Sequence, residues 1–190
     1  SVDRILVLFP FEEKIYEKEG IPVSYVGHPL ADQIEVNVDR LSHRDKLGLS
    51  PNQKIVALLP GSRRSELKQH LGLMSDAAAM IKARYPEVHF LIPLRNENAV
   101  TFARKYLSEC GKYLNRDIRF TAGNTQNILK AADLAIIASG TATLEALLCE
   151  CPMVVTYRVS KLTAWLMRRR ANTKFVSLPN IISDEMLVDE

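Results

Sequence analysis

The sequence predicts an α/β chain organised as a doubly wound parallel sheet, and three features carry that prediction. Short unbroken apolar runs recur, stretches of helical character separate them, and turns bearing glycine, serine or proline join the two. Strands covered on both faces read as continuous apolar runs, because neither face meets water.

In chain order, Ile5–Phe9 is the first such run and ends at Pro10. Phe11–Glu19 follows as a helix closed by Gly20, and Val23–Val26 is a strand entering the turn Gly27-His28-Pro29. Ser42–Leu47 reads as a short helix ending at Gly48, and Lys54–Leu59 as the next buried strand. A helix from Ser65 to Tyr85, a strand at His89–Pro93, a helix at Asn98–Cys110 and a strand at Ile118–Phe120 come next. Asn124–Ala131 (helix), Leu134–Ala138 (strand), Thr141–Cys149 (helix) and Met153–Thr156 (strand) continue the alternation. Leu162–Arg170 is expected as a helix and Phe175–Val176 as a strand before the loop Ser177–Asn180. There is no internal repeat. Alternation through short turns, with right-handed crossovers, gives a Rossmann-like sheet that binds ligands at the carboxyl ends of its strands.

Composition narrows the classes. A chain of 190 residues, 47% hydrophobic and 25% charged, has the apolar material for a sizeable core. Lys and Arg exceed Asp and Glu by 25 to 22, an excess too small to argue for nucleic acid. The clusters Arg63-Arg64 and Arg168-Arg169-Arg170 suit phosphate or an anionic membrane surface, or a solvated helix face. Cys110, Cys149 and Cys151 have no metal-like spacing with His28, His43, His70 or His89, so no metal is expected and the thiols are read as small apolar groups in a reducing compartment. No apolar run approaches the ~18 residues of a membrane span. The chain opens directly on a strand and stops without a terminating signal, so a fragment is expected.

Two turns carry the candidate chemistry. Gly61-Ser62-Arg63 follows a strand and opens a helix; Gly61 permits a close backbone approach, the helix-start N–H groups attract an anion, and Arg63 can bind phosphate oxygens in a forked geometry. The alternative is a capped surface turn with Ser65 as N-cap. Ser139-Gly140-Thr141 repeats the strand–turn–helix pattern through small residues, so a diphosphate fits its amides. Glu145 lies one helical turn beyond Thr141, where a carboxylate can accept from a ribose diol; the alternative is a tight junction with Glu145 in solvent. Asn180 in Ser177-Leu178-Pro179-Asn180 offers a donor and an acceptor to phosphate or sugar, or is an ordinary turn asparagine. Lys161–Arg170 is read either as a membrane-interface helix or as core packing. Two anion-friendly turns suit a nucleoside diphosphate better than a dinucleotide, since no GxGxxG follows the first strand. No set of side chains for proton transfer stands out.

LVLFPFE (Leu6–Glu12), YVGHPLAD (Tyr25–Asp32), LLPGSRRSEL (Leu58–Leu67), IASGTATLEALLCECPMVVTYR (Ile137–Arg158) and FVSLPN (Phe175–Asn180) resemble, in this order, the lipid-A-disaccharide synthases. The resemblance implies one half of a two-domain GT-B glycosyltransferase. Residues 1–30 would be the last strand and helix of the amino-terminal domain with the linker, and 31–190 an incomplete carboxyl-terminal UDP-sugar domain. It implies inverting, metal-independent transfer of 2,3-diacylglucosamine from UDP-2,3-diacylglucosamine to 2,3-diacylglucosamine 1-phosphate, with no cofactor. Residues matching the family's UDP site are Arg63, Ser139–Thr141, Glu145 and Asn180. The proposed base and the acceptor site would lie in the missing amino-terminal domain, so this chain is expected to bind UDP without turning over. The family also implies a cytoplasmic homodimer, peripheral on the inner membrane of a Gram-negative-type bacterium. Alternatives are another GT-B enzyme, a UDP-N-acetylglucosamine epimerase or the transferase of peptidoglycan lipid II, or a non-catalytic nucleotide-binding module.

Overall fold

The computed structural model describes residues 2–34, 39–111, 118–156 and 175–190. The chain opens with β1 (Ile5–Val7), α1 (Pro10–Lys18) and β2 (Val23–Tyr25), and β1 pairs with β2 in parallel as a two-stranded sheet of its own. Short helices α2 (Leu30–Gln33) and α3 (Arg40–Lys46) lead to the main body. There β3 (Lys54–Leu59), α4 (Arg64–Arg84), β4 (Val88–Leu94), α5 (Glu97–Glu109) and β5 (Ile118–Ala122) form one wing. The other wing follows as α6 (Thr125–Ala131), β6 (Leu134–Ala138), α7 (Thr141–Leu148) and β7 (Met153–Thr156), and α8 (Leu178–Ser183) comes last.

Five parallel strands lie in the order β5-β4-β3-β6-β7. This sheet therefore starts at its centre with β3, winds outward through β4 and β5, then returns to the other side of β3. That reversal makes the sheet doubly wound, as the alternation predicts, and puts the topological switch point between β3 and β6.

The central strand shows why its sequence is unbroken apolar. Ile55, Ala57 and Leu59 enter a core with α6 and α7, through Ile128, Leu129 and Ala146. Val56 and Leu58 enter a second core with α4 and α5, through Leu67, Leu71, Met74, Val100 and Leu107. Successive side chains leave opposite faces, so a strand between two helical layers needs an apolar residue at every position. Each fully buried Leu or Ile contributes about 1.5–3 kcal/mol. Cys149 and Cys151 belong to the first core, where burial pushes their thiols up to about 11 and about 12, so both stay protonated.

Two expectations fail near the carboxyl end. Phe175–Val176 is not a strand, and Ser177–Asn180 is not a free loop but the entry to α8, with Pro179 in its first turn. The edge beside β7 is met instead by Asp189, which forms an isolated parallel bridge with Val154. The expected helix Leu162–Arg170, with its arginine cluster, lies outside the described residues.

Candidate functional site

At the switch point the turns after β3 and β6 face one another across an open cleft of about 420 Å³. Gly61, Ser62, Arg63 and Glu66 form one wall, and Ser139, Gly140, Thr141 and Glu145 the other; Arg95 and Thr125 complete it. Seven of the eight sequence-predicted residues are thereby brought together. Asn180 is not among them.

The β3 turn works differently from the expectation. Its N–H groups are not free: the Glu66 carboxylate accepts from Ser62 N at 2.8 Å and from Arg63 N at 3.1 Å. Glu66 stands three residues after the N-cap Arg63, the spacing at which a carboxylate folds back over a helix start. Gly61 is needed for that approach, since a Cβ there would lie 2.6 Å from a Glu66 oxygen, at a φ of +102°. The turn is thus capped, by Glu66 rather than Ser65. What it offers a ligand is the Arg63 guanidinium, 83% exposed and held by Glu66 only at 3.5 Å.

The β6 turn leaves the start of α7 without a side-chain cap. Gly140 sits at φ 144°, ψ −164°, a region open essentially to glycine alone. Thr143 is fully buried and donates to the Gly140 carbonyl at 2.8 Å, which fixes the turn from within and accounts for a threonine in a helix start. Ser139 Oγ donates to the Val176 carbonyl at 3.1 Å, tying the turn to the segment before α8. Burial pushes the Glu145 carboxyl above its ordinary value, and a hydrogen bond with the Gln126 side chain offsets part of that rise.

Asn180 is fully buried on α8, and its amide is used up inside the chain. Nδ2 donates to the Val188 carbonyl at 2.8 Å and to Glu190 Oε1 at 2.7 Å, while Oδ1 accepts from Leu187 N and Val188 N at 2.8 and 2.9 Å. Glu190 also collects Val176 N, Ser177 N and Ser177 Oγ. Partial burial works against the Glu190 charge, but these donors outweigh it and hold the carboxyl below its ordinary value. Asn180→Ala is expected to destabilise the chain by about 1–3 kcal/mol, the cost of leaving buried donors and acceptors unmade. Urea unfolding beside ligand titration checks this: unchanged stability with weakened ligand binding would return Asn180 to the site.

Reading from sequence missed Arg95 and the role of Glu66. Both had signals. Arg95 follows a strand predicted to end at the ligand-binding edge, and Glu66 has capping-box spacing.

Strand order and cleft position define the class: this is a doubly wound, Rossmann-like α/β domain with a ligand cleft at its switch point. A chain of the GtfA/B complex has the same fold, with a TM-score of 0.54 at 15% identity over 93% of this chain and 33% of that one. The sequence narrows class to family. It matches the family model described as Lipid-A-disaccharide synthetase over residues 1–190, and the chain belongs to that family. Lipid-A-disaccharide synthases of Thiobacillus denitrificans and Azoarcus sp. are 46% and 45% identical to it, each over 100% of this chain. The chain spans about half the length of these relatives, 50% and 48% respectively.

Proposed function

We propose that this chain carries the UDP-sugar site of an enzyme of lipid A biosynthesis. The reaction is transfer of 2,3-diacylglucosamine from UDP-2,3-diacylglucosamine to 2,3-diacylglucosamine 1-phosphate. The observation that carries the reading is the convergence of Arg63, Arg95 and the uncapped start of α7 on one cleft, with Glu145 one turn further along. Family membership supports the choice of substrates.

In the inverting reaction the acceptor hydroxyl attacks the donor's anomeric carbon as the bond from that carbon to the diphosphate oxygen breaks. The hydroxyl proton passes to a base outside this chain, and the electron pair leaves with UDP. Arg63, Arg95 and the Gly140–Thr141 amides stabilise the charge that grows on the diphosphate, being oriented before the reaction begins. Glu145 accepts from the ribose diol. The parent enzyme would work in the cytoplasm as a homodimer, peripheral on the inner membrane. Among the described residues no helix is long and apolar enough to cross a membrane.

The deciding experiment gives the parent enzyme the diacyl donor and acceptor and follows UDP and disaccharide phosphate together. Stoichiometric appearance of both supports the reading, and absence of UDP release sinks it.

Glu145 supplies a pH prediction. Its folded-state pKa is raised, so the native chain binds that proton more tightly than the unfolded chain does. Its contribution therefore favours folding below the ordinary carboxylate range and is lost as pH rises through the raised value. At neutral pH a buried charge remains that glutamine would not carry. Glu145→Gln is expected to raise the Tm at neutral pH while weakening UDP binding several-fold, and to remove an acid limb from the affinity profile. Comparing both proteins at each pH cancels the titration of UDP itself. Equal affinities throughout would free Glu145 from the ribose role.

A further inference from the structure

Ser139, on the β6 wall of the cleft, has its one hydroxyl proton already placed, since Oγ donates to the Val176 carbonyl at 3.1 Å. A hydroxyl carries a single donor, so Ser139 in this arrangement has no proton left for an anion. Recognition of a diphosphate at this turn then falls to the Gly140 and Thr141 amides, whose direction is set by the backbone. Ser139 fixes that backbone. Its own N–H donates to the Thr156 carbonyl at 3.1 Å, so the residue is tied both to β7 and to the segment before α8.

The acceptor that Ser139 uses is one side of a polarised peptide. The Val176 carbonyl and the Ser177 N–H belong to one planar unit and point in opposite directions. Ser177 N donates to Glu190 Oε1 at 2.9 Å. The same oxygen accepts from Ser177 Oγ and from Asn180 Nδ2, both at 2.7 Å, while Oε2 accepts from Val176 N at 2.8 Å. A carboxylate on the N–H side of a peptide strengthens the acceptor on its carbonyl side, because successive hydrogen bonds polarise one another. Glu190 is itself placed from the sheet: the carbonyl of its neighbour Asp189 accepts from Val155 N at 2.7 Å. Ser139, β7, Glu190 and the Val176–Ser177 peptide thus form a closed ring, with the β6 turn as one link.

We infer that Glu190 is a positioning residue for the donor diphosphate, acting through the Val176–Ser177 peptide and the Ser139 hydroxyl on the amides of the β6 turn. The inference rests on the UDP-sugar reading for its ligand, while the relay from Glu190 to Ser139 rests on the hydrogen bonds alone. Asn180 gains a part at one remove, since its amide helps to hold Glu190 in place without facing the cleft.

The test is a double-mutant cycle in the full 190-residue chain with Ser139→Ala, Glu190→Gln and both together. Each protein is titrated with UDP and with uridine, and its backbone amides are followed by NMR. Glu190→Gln is expected to weaken UDP about tenfold, to leave uridine unchanged and to shift the Thr141 amide in the free chain. Ser139→Ala is expected to shift the Ser177 amide, at the far end of the relay. The double variant should bind UDP no more weakly than the weaker single variant, because both substitutions break one chain of contacts. Additive losses overturn the relay, as do equal losses for UDP and uridine, or Thr141 and Ser177 amides that stay in place. If Glu190→Gln does not fold, the Ser177 amide and the UDP-to-uridine ratio in Ser139→Ala decide by the same criteria. Failure of the unaltered, well-dispersed chain to bind UDP counts against the nucleotide reading, and the two amides still decide the relay.

Discussion

Replacing Arg63 by alanine in the parent enzyme is expected to lower kcat/KM by about 10²–10³-fold, with little change in Tm. The first half follows from the proposed role. A preoriented donor aimed at charge that grows in the transition state is worth ~2–4 kcal/mol when it is removed. The second half follows from the structure. The Arg63 side chain is 83% exposed, and its ion pair among the described residues, to Glu66 at 3.5 Å, is of the surface kind that adds little to folding. The capping of α4 survives the change, because Glu66 holds the backbone N–H groups of Ser62 and Arg63 rather than the guanidinium. Steady-state kinetics beside a melting curve separates the two effects. Full activity would remove Arg63 from the diphosphate, and a large loss of Tm would show that its role in the turn is structural.

Arg44→Ala carries the largest expected loss of stability. Arg44 is a buried arginine on α3, with its side chain only 5% exposed. It donates to the Ala131 carbonyl at 3.0 Å, to the Pro51 carbonyl and to Asp133 at 3.0 Å. Asp133 in turn accepts from Ile55 N at 2.9 Å, so one guanidinium joins α3, the end of α6 and the start of β3. Breaking a buried pair by removing one partner costs about 3–5 kcal/mol. Asp133 keeps the exposed Arg40 at 3.2 Å, which places the expected loss at the lower end, about 3 kcal/mol. For a chain of this size that lowers Tm by about 6–12 °C. Arg40→Ala, at the surface end of the same carboxylate, should cost less than about 1 kcal/mol. Equal effects from the two substitutions would refute the distinction between the buried and exposed arms.

Much of the architecture was legible because it rests on local pattern. Lys54–Leu59 and Leu134–Ala138 can each be bounded from sequence, since a strand covered on both faces admits no polar interruption, and the edge strand Met153–Thr156, though it exposes Val154, is apolar up to its last residue. The β6 turn was legible for a related reason: Ser-Gly-Thr-Ala-Thr is a poor helix start, and Gly140 occupies a conformation that only glycine tolerates.

The polar partners were not legible in the same way. Glu66 and Asn180 have identities that suit a ligand as well as they suit the chain's own backbone. Only the folded arrangement shows Glu66 closed over Ser62 and Arg63, and Asn180 sealed among Leu187, Val188 and Glu190. Arg95 has only its place after a predicted strand to single it out in the sequence, until β4 delivers it to the rim of the cleft. By itself, then, the sequence determined the order of strands and helices from Ile5 to Thr156 in its main lines, the two turns proposed to face a ligand, and the family. The tertiary structure decided which polar groups remain free to meet that ligand. Apolar periodicity is a property of neighbouring residues, whereas the partner of a hydrogen-bonding group is set by elements that can lie far apart in sequence and meet only when the sheet has formed.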